Sequence, residues 1–169
     1  DLKDRNLAYL LLEHIGAVMS LKYDDGIFTP FEIQPTTPSD WMGLNNTTAE
    51  IQIHPNGKLL ALSNRGHDSI LMCSILDDGR LEKLRYYKDE DLIYISRFFT
   101  FTEDGKQLYC ANIGTSGGKE LYMSELGAQP GTGSITIFDV NEETGELCFT
   151  GQKIEFPAPS CLIFKTIEN

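Results

Sequence analysis

A turn that repeats at a fixed interval leaves this chain few architectures. His54-Pro55-Asn56-Gly57-Lys58 recurs 48 residues later as Thr102-Glu103-Asp104-Gly105-Lys106, and a period of that length points to propeller blades. Each turn follows a β-patterned run (50–53 or 98–101) and precedes an apolar one (59–64 or 108–112). These read as strands A and B of a blade. A second set of turns, Asp25-Gly26, Asp78-Gly79 and Thr144-Gly145, lies between further β-rich runs and joins strands C and D. The C strands are expected at 17–23, 69–76 and 134–140, and the D strands at 27–34, 80–87 and 146–154.

The expected fold is all-β, a propeller of four-stranded antiparallel blades. Residues 1–38 form a partial blade without strand A, 48–90 a full blade, and 94–156 another with a loop insertion at 113–133. A closing strand is expected at 159–164. So short an array cannot close into a ring and leaves sheet faces and edges open. The chain is therefore expected to be the C-terminal part of one larger domain, inactive alone. Its start, Asp1-Leu2-Lys3, has neither an initiator Met nor a signal segment, in keeping with that expectation.

Charge and composition exclude several function classes. A net charge of −11 repels phosphate backbones and argues against nucleic acid as a partner. No run reaches the roughly 18 apolar residues of a membrane helix, so no membrane partner is expected. Cys73, Cys110, Cys148 and Cys161 lack CxxC spacing and read as buried thiols in a reducing cytosol, neither zinc ligands nor a disulfide framework. The location is read as cytoplasmic, and nothing in the residues sets an oligomeric state. Gly117-Gly118-Lys119 has the wrong preceding spacing for a phosphate loop, and Glu120 stands where Ser or Thr would hold magnesium. A short helical turn is expected at 121–126.

The stretch from Thr48 through Glu50, His54-Pro55-Asn56-Gly57-Lys58 and Ser63-Asn64-Arg65-Gly66-His67-Asp68 resembles the signature of the seven-bladed lactonase propellers. That family includes 6-phosphogluconolactonase-like and carboxymuconate-cyclase-like enzymes. Ala8-Tyr9-Leu10-Leu11-Leu12-Glu13 and Pro159-Ser160-Cys161-Leu162-Ile163-Phe164 extend the resemblance over nearly the whole chain. It implies about three of seven blades here, and an active site at the channel mouth. Glu13 and Arg65 match the family's catalytic Glu and Arg, while its His and a further Arg fall upstream of Asp1. Arg97 matches an arginine of a Pro-Arg-Asp-Phe stretch, with Ser96 and Phe98 as departures.

The resemblance implies a lactonase acting on a small anionic substrate, such as a sugar-acid lactone, without metal or organic cofactor. A muconate-type lactonising cyclase and a non-catalytic binding propeller are the alternatives. Opening a lactone needs a base to activate water, cationic donors for the oxyanion, and a guanidinium for the anionic group. Glu13 and Arg65 are the catalytic candidates; Arg97, His67 and Glu50 are the substrate-binding ones. Each has a plainer reading: Glu13 and Arg65 as an ion pair bridging blades, His67 and Asp68 as turn formers, Glu50 as a solvated strand residue. His14 is a weak alternative base. Asn64 and Asn112 recur at one blade position and read as structural, as do His54 and the turn acids Asp24-Asp25 and Asp77-Asp78. Trp41 either covers the core or walls the substrate cleft.

Overall fold

The computed structural model describes residues 6–43, 45–114 and 133–165, and these form three antiparallel sheets arranged as successive blades. Blade I holds β1 (Leu7–Leu12), β2 (Ala17–Asp24) and β3 (Ile27–Pro35). Blade II holds β4 (Thr47–Ile53), β5 (Leu59–Arg65), β6 (Ser69–Ile75) and β7 (Leu81–Tyr87). Blade III holds β8 (Ser96–Phe101), β9 (Gln107–Asn112), β10 (Gly133–Val140) and β11 (Leu147–Phe156). Strand order within each sheet follows chain order, so β4 and β8 form the inner edge and β3, β7 and β11 the outer one. Blade I lacks an inner strand among the described residues, as its sequence implies.

Packing follows from strand periodicity. Side chains alternate between the two faces of a strand, and every residue of β5 is buried. Leu60 and Leu62 join Leu71, Cys73 and Leu81 against Val18 of blade I. Leu59 and Ala61 face the other way, with Ile70 and Met72 against Phe99, Phe101, Leu108 and Phe138 of blade III. Full burial of one such aliphatic or aromatic side chain contributes about 1.5–3 kcal/mol, so blade II is stabilised through both faces. Asp25 and Gly26 take φ of 42° and 85°, the left-handed pair a type I′ hairpin turn requires.

Polar ties sew the blades together at both ends. At the A–B turns, His54 Nδ1 accepts the Asn56 N–H (3.1 Å), which leaves Nε2 to donate to Gly105 O of the next blade (2.8 Å). A Cβ on Gly105, whose φ is +74°, would meet the His54 ring at 2.5 Å, so this turn accepts only glycine without distortion. At the opposite end Asn64 donates to Thr36 O and accepts from Thr36 Oγ1 and Asn46. Asn112 likewise donates to Leu92 O and accepts from Tyr94 N. Both clamp the loop that enters their blade, which is the structural task their recurrence implies.

Three expectations need correction or limitation. Residues 159–165 form no strand, because no neighbouring ladder among the described residues offers them hydrogen-bond partners; Phe164 packs instead edge-on against Tyr109. Cys148 and Cys161 are exposed, the former on outer strand β11 and the latter in this unpaired segment, while Cys73 and Cys110 are buried. The expected helical turn at 121–126 and Gly117-Gly118-Lys119 lie outside the described residues.

Candidate active site

The last pairs between the B and C strands set the frame. Leu12 pairs with Ala17, Asn64 with Ser69 and Asn112 with Ser134, so the next residue in each blade, Glu13, Arg65 or Ile113, emerges at the same step. Glu13 and Arg65 meet as an ion pair across the boundary between blades I and II. Arg65 Nη2 donates to a Glu13 carboxylate oxygen and to Thr48 O (3.1 Å), while Thr48 N donates to Glu13 O (3.2 Å). Arg65 is only 6% exposed and Glu13 54%, so the guanidinium is buried and the carboxylate reaches solvent. The Arg65 hydrogen bond and charge lower the Glu13 carboxyl below its ordinary 4.5 against a slight desolvation, with still smaller downward pulls from His14 and Arg97.

Both inner strands carry a β-bulge at this end. Between the pairs Thr48–Asn64 and Ile51–Leu62, Ala49 and Glu50 stand opposite Ser63 alone. In blade III Ser96 pairs with Asn112 and Phe98 with Ala111, which leaves Arg97 without an opposite number. A bulge re-aims side chains that regular pairing would commit to a sheet face. Arg97 is exposed, and its charge acts on both Glu13 and Glu50. A blade III side chain influences a blade I carboxylate because both project beyond the sheets at the same end.

Glu50 is half-buried, with Ser63 Oγ accepting its N–H (3.0 Å) and its Oε1 accepting the Ile51 N–H (3.2 Å). Burial raises its carboxyl above 4.5 despite the Ile51 N–H, the Gln52 side chain and Arg97, all of which pull it down. Two carboxylates at the same end of the sheets are therefore pushed in opposite directions. Thr48 Oγ1, buried at the start of the bulge, has no hydrogen-bond partner among the described residues.

His67 stands apart from this group. Its ring lies edge-on to Trp41 and Tyr86 at centroid distances of 5.6 and 5.5 Å, and Nδ1 meets Ser69 Oγ at 2.7 Å. Desolvation first, then Lys88, lowers its pKa against Asp68 and Asp40. Trp41 thus covers the loop core around His67. Sequence reasoning read Asp68 as a turn former and missed its wider reach: Oδ1 accepts both Gly66 N and Ile95 N, each at 3.1 Å. One oxygen thereby ties the turn after Arg65 to the segment entering Arg97. Ile95 is held at φ 48°, a conformation that costs a β-branched residue about 1–3 kcal/mol. Among the described residues no three His, Cys, Asp or Glu side chains gather as metal ligands, and no helix is long and apolar enough to cross a membrane.

Residues 2–164 match the family described as Lactonase, 7-bladed beta-propeller. The chain belongs to this lactonase propeller family. An uncharacterized protein of Staphylococcus epidermidis is 32% identical over 151 residues, covering 89% of this chain and 39% of that protein. Among solved structures, a candidate 6-phosphogluconolactonase from Bacteroides fragilis is 25% identical, with a TM-score of 0.75 over 96% of this chain and 40% of the other. A second, from Bacteroides uniformis, is 28% identical with a TM-score of 0.71, over 92% and 39%. The periplasmic gluconolactonase of Pseudomonas aeruginosa shares the fold at 21% identity, with a TM-score of 0.80 over 98% and 41%. The chain spans about two fifths of the length of these relatives.

Proposed function

We propose that the whole protein is a lactonase that hydrolyses a small anionic sugar-acid lactone, such as 6-phosphogluconolactone, at the mouth formed by these blade ends. The observation that carries this reading is convergence: Glu13 of blade I, Arg65 and Glu50 of blade II and Arg97 of blade III come to one end of the sheets, Glu50 and Arg97 from inner strands and Glu13 and Arg65 from the ends of the strands beside them. Fold alone assigns no activity, but two carboxylates and two guanidiniums supply what lactone opening demands. A carboxylate activates water, and a guanidinium faces the oxyanion as the carbonyl becomes tetrahedral. Arg65 is already engaged by Glu13 and Thr48 O, whereas Arg97 makes no hydrogen bond or ion pair among the described residues. Arg97 is thus the cation free to hold a phosphate or carboxylate.

The same engagement of Arg65 favours a second reading, a non-catalytic binding propeller in which the Glu13–Arg65 pair is a staple between blades. The whole protein is assayed against 6-phosphogluconolactone and its unphosphorylated analogue, above spontaneous hydrolysis. Turnover is expected, and Arg97→Ala raises KM for the phosphorylated lactone about tenfold or more while changing that of the neutral one little. Binding without turnover of either lactone decides for the non-catalytic reading. Cyclisation of carboxymuconate without lactone hydrolysis moves the protein to the cyclase branch.

A further inference from the structure

The two carboxylates of the mouth occupy unlike settings, and the difference separates their roles. Glu13 is held by Arg65 and stands at the solvent edge. Glu50 lies on an inner strand, is presented by the Ala49–Glu50 bulge, and makes no salt bridge among the described residues. We propose that Glu50 is the general base of the site, and that Glu13 is a positioning residue that orients the Arg65 guanidinium. The assignment rests on the lactonase reading and goes beyond it.

Three observations favour Glu50. Ser63 Oγ and the Ile51 N–H fix the bulge and one carboxylate oxygen, and a base on a strand is more precisely placed than one on a loop. Half-burial keeps its proton affinity above that of a solvated glutamate, which suits proton abstraction near neutral pH. A carboxylate neutralised by a guanidinium is the poorer base, and Glu13 is in that condition. Paired carboxyl groups whose environments push them apart commonly divide their tasks in this way. The charged group that acts on Glu50 is Arg97 on β8, which pulls its carboxyl down against the effect of burial.

The step balances without a co-reactant. Glu50 takes one proton from water while the water oxygen bonds to the lactone carbonyl carbon, and the carbonyl electron pair moves to oxygen, facing the guanidiniums. Collapse breaks the ring C–O bond. The departing ring oxygen takes the proton back from Glu50, and the new carboxylic acid ionises to solvent. Glu50 ends as it began.

The test uses the whole protein and 6-phosphogluconolactone, with kcat and KM measured across pH for the parent, Glu50→Gln, Glu50→Asp and Glu13→Gln. Glu50→Gln is expected to lose 100-fold or more in kcat with KM changed only a few-fold, and to lose the acid limb of the pH profile. Glu50→Asp recovers part of kcat and keeps that limb, while Glu13→Gln acts mainly on KM and keeps it too. Folding is checked by the unfolding midpoint, which Glu50→Gln is expected to raise above the parent's more at pH 7 than at pH 4, because the raised carboxyl of Glu50 costs the parent stability only when ionised. An active parent whose Glu50→Gln variant retains kcat within threefold and an unchanged acid limb overturns the assignment alone. A parent without activity above background overturns the lactonase reading and the assignment together.

Discussion

Replacing His54 by Phe isolates one tie between blades. The ring is 1% exposed, accepts the Asn56 N–H at Nδ1 and donates from Nε2 to Gly105 O, and stands edge-on to Phe101 at 4.9 Å. Phenylalanine keeps an aromatic ring, slightly larger than the imidazole, and the edge-on contact but removes both nitrogens. Asn56 is only partly buried and finds water, whereas Gly105 is buried and its carbonyl loses its donor. An unsatisfied buried acceptor costs about 1–3 kcal/mol, and that is the loss expected for His54→Phe. His54→Ala adds a cavity between blades II and III and reaches about 2–5 kcal/mol, by analogy with other large-to-small core changes. Urea unfolding of the whole protein, followed by tryptophan fluorescence and extrapolated linearly, measures both. The kcat of His54→Phe is expected to stay at the parental value, since β5 separates this turn from Arg65 by about 20 Å of strand. A His54→Phe variant within about 0.5 kcal/mol of the parent, the range of a neutral surface change, refutes the tie.

Asp68→Ala releases Gly66 N and Ile95 N together; it is expected to raise KM more than it lowers kcat, while Asp68→Asn, which keeps an acceptor oxygen, restores KM. The Glu13 carboxyl is lowered in the folded state, so its contribution is present above the unfolded value and lost as pH falls through the folded one. Acid titration of stability in Glu13→Gln against the parent should therefore show equal stability at the acid extreme and a parental advantage that grows from below pH 4.5 upward.

The blades were legible because they depend on short-range signals. The repeated His54 and Thr102 turns, the Asp-Gly hairpins and the apolar runs each determine structure over fewer than ten residues, and all appear where expected. What escaped depends on relations between distant segments. Nothing in the order Ala49-Glu50-Ile51 marks a bulge; it exists because Thr48 and Ile51 pair with Asn64 and Leu62. His67 reads as a turn residue until the loop carrying Trp41 folds over it. Alternation gave 160–164 the pattern of a strand, yet a strand is a property of two segments, and this one has no ladder partner among the described residues. The pairing of Glu13 with Arg65 follows from their equivalent positions in successive blades, and the geometry contains that pair.

The common step at the end of each B strand has a consequence for how such proteins diversify. Glu13, Arg65 and Ile113 occupy one interchangeable seat, acidic, cationic and apolar in turn, immediately after the last residue that pairs with the C strand. A new occupant alters the chemistry of the mouth while the ladder beneath keeps all its pairs. On the lactonase reading proposed above, single substitutions at this seat would change what the mouth binds without rebuilding the sheets.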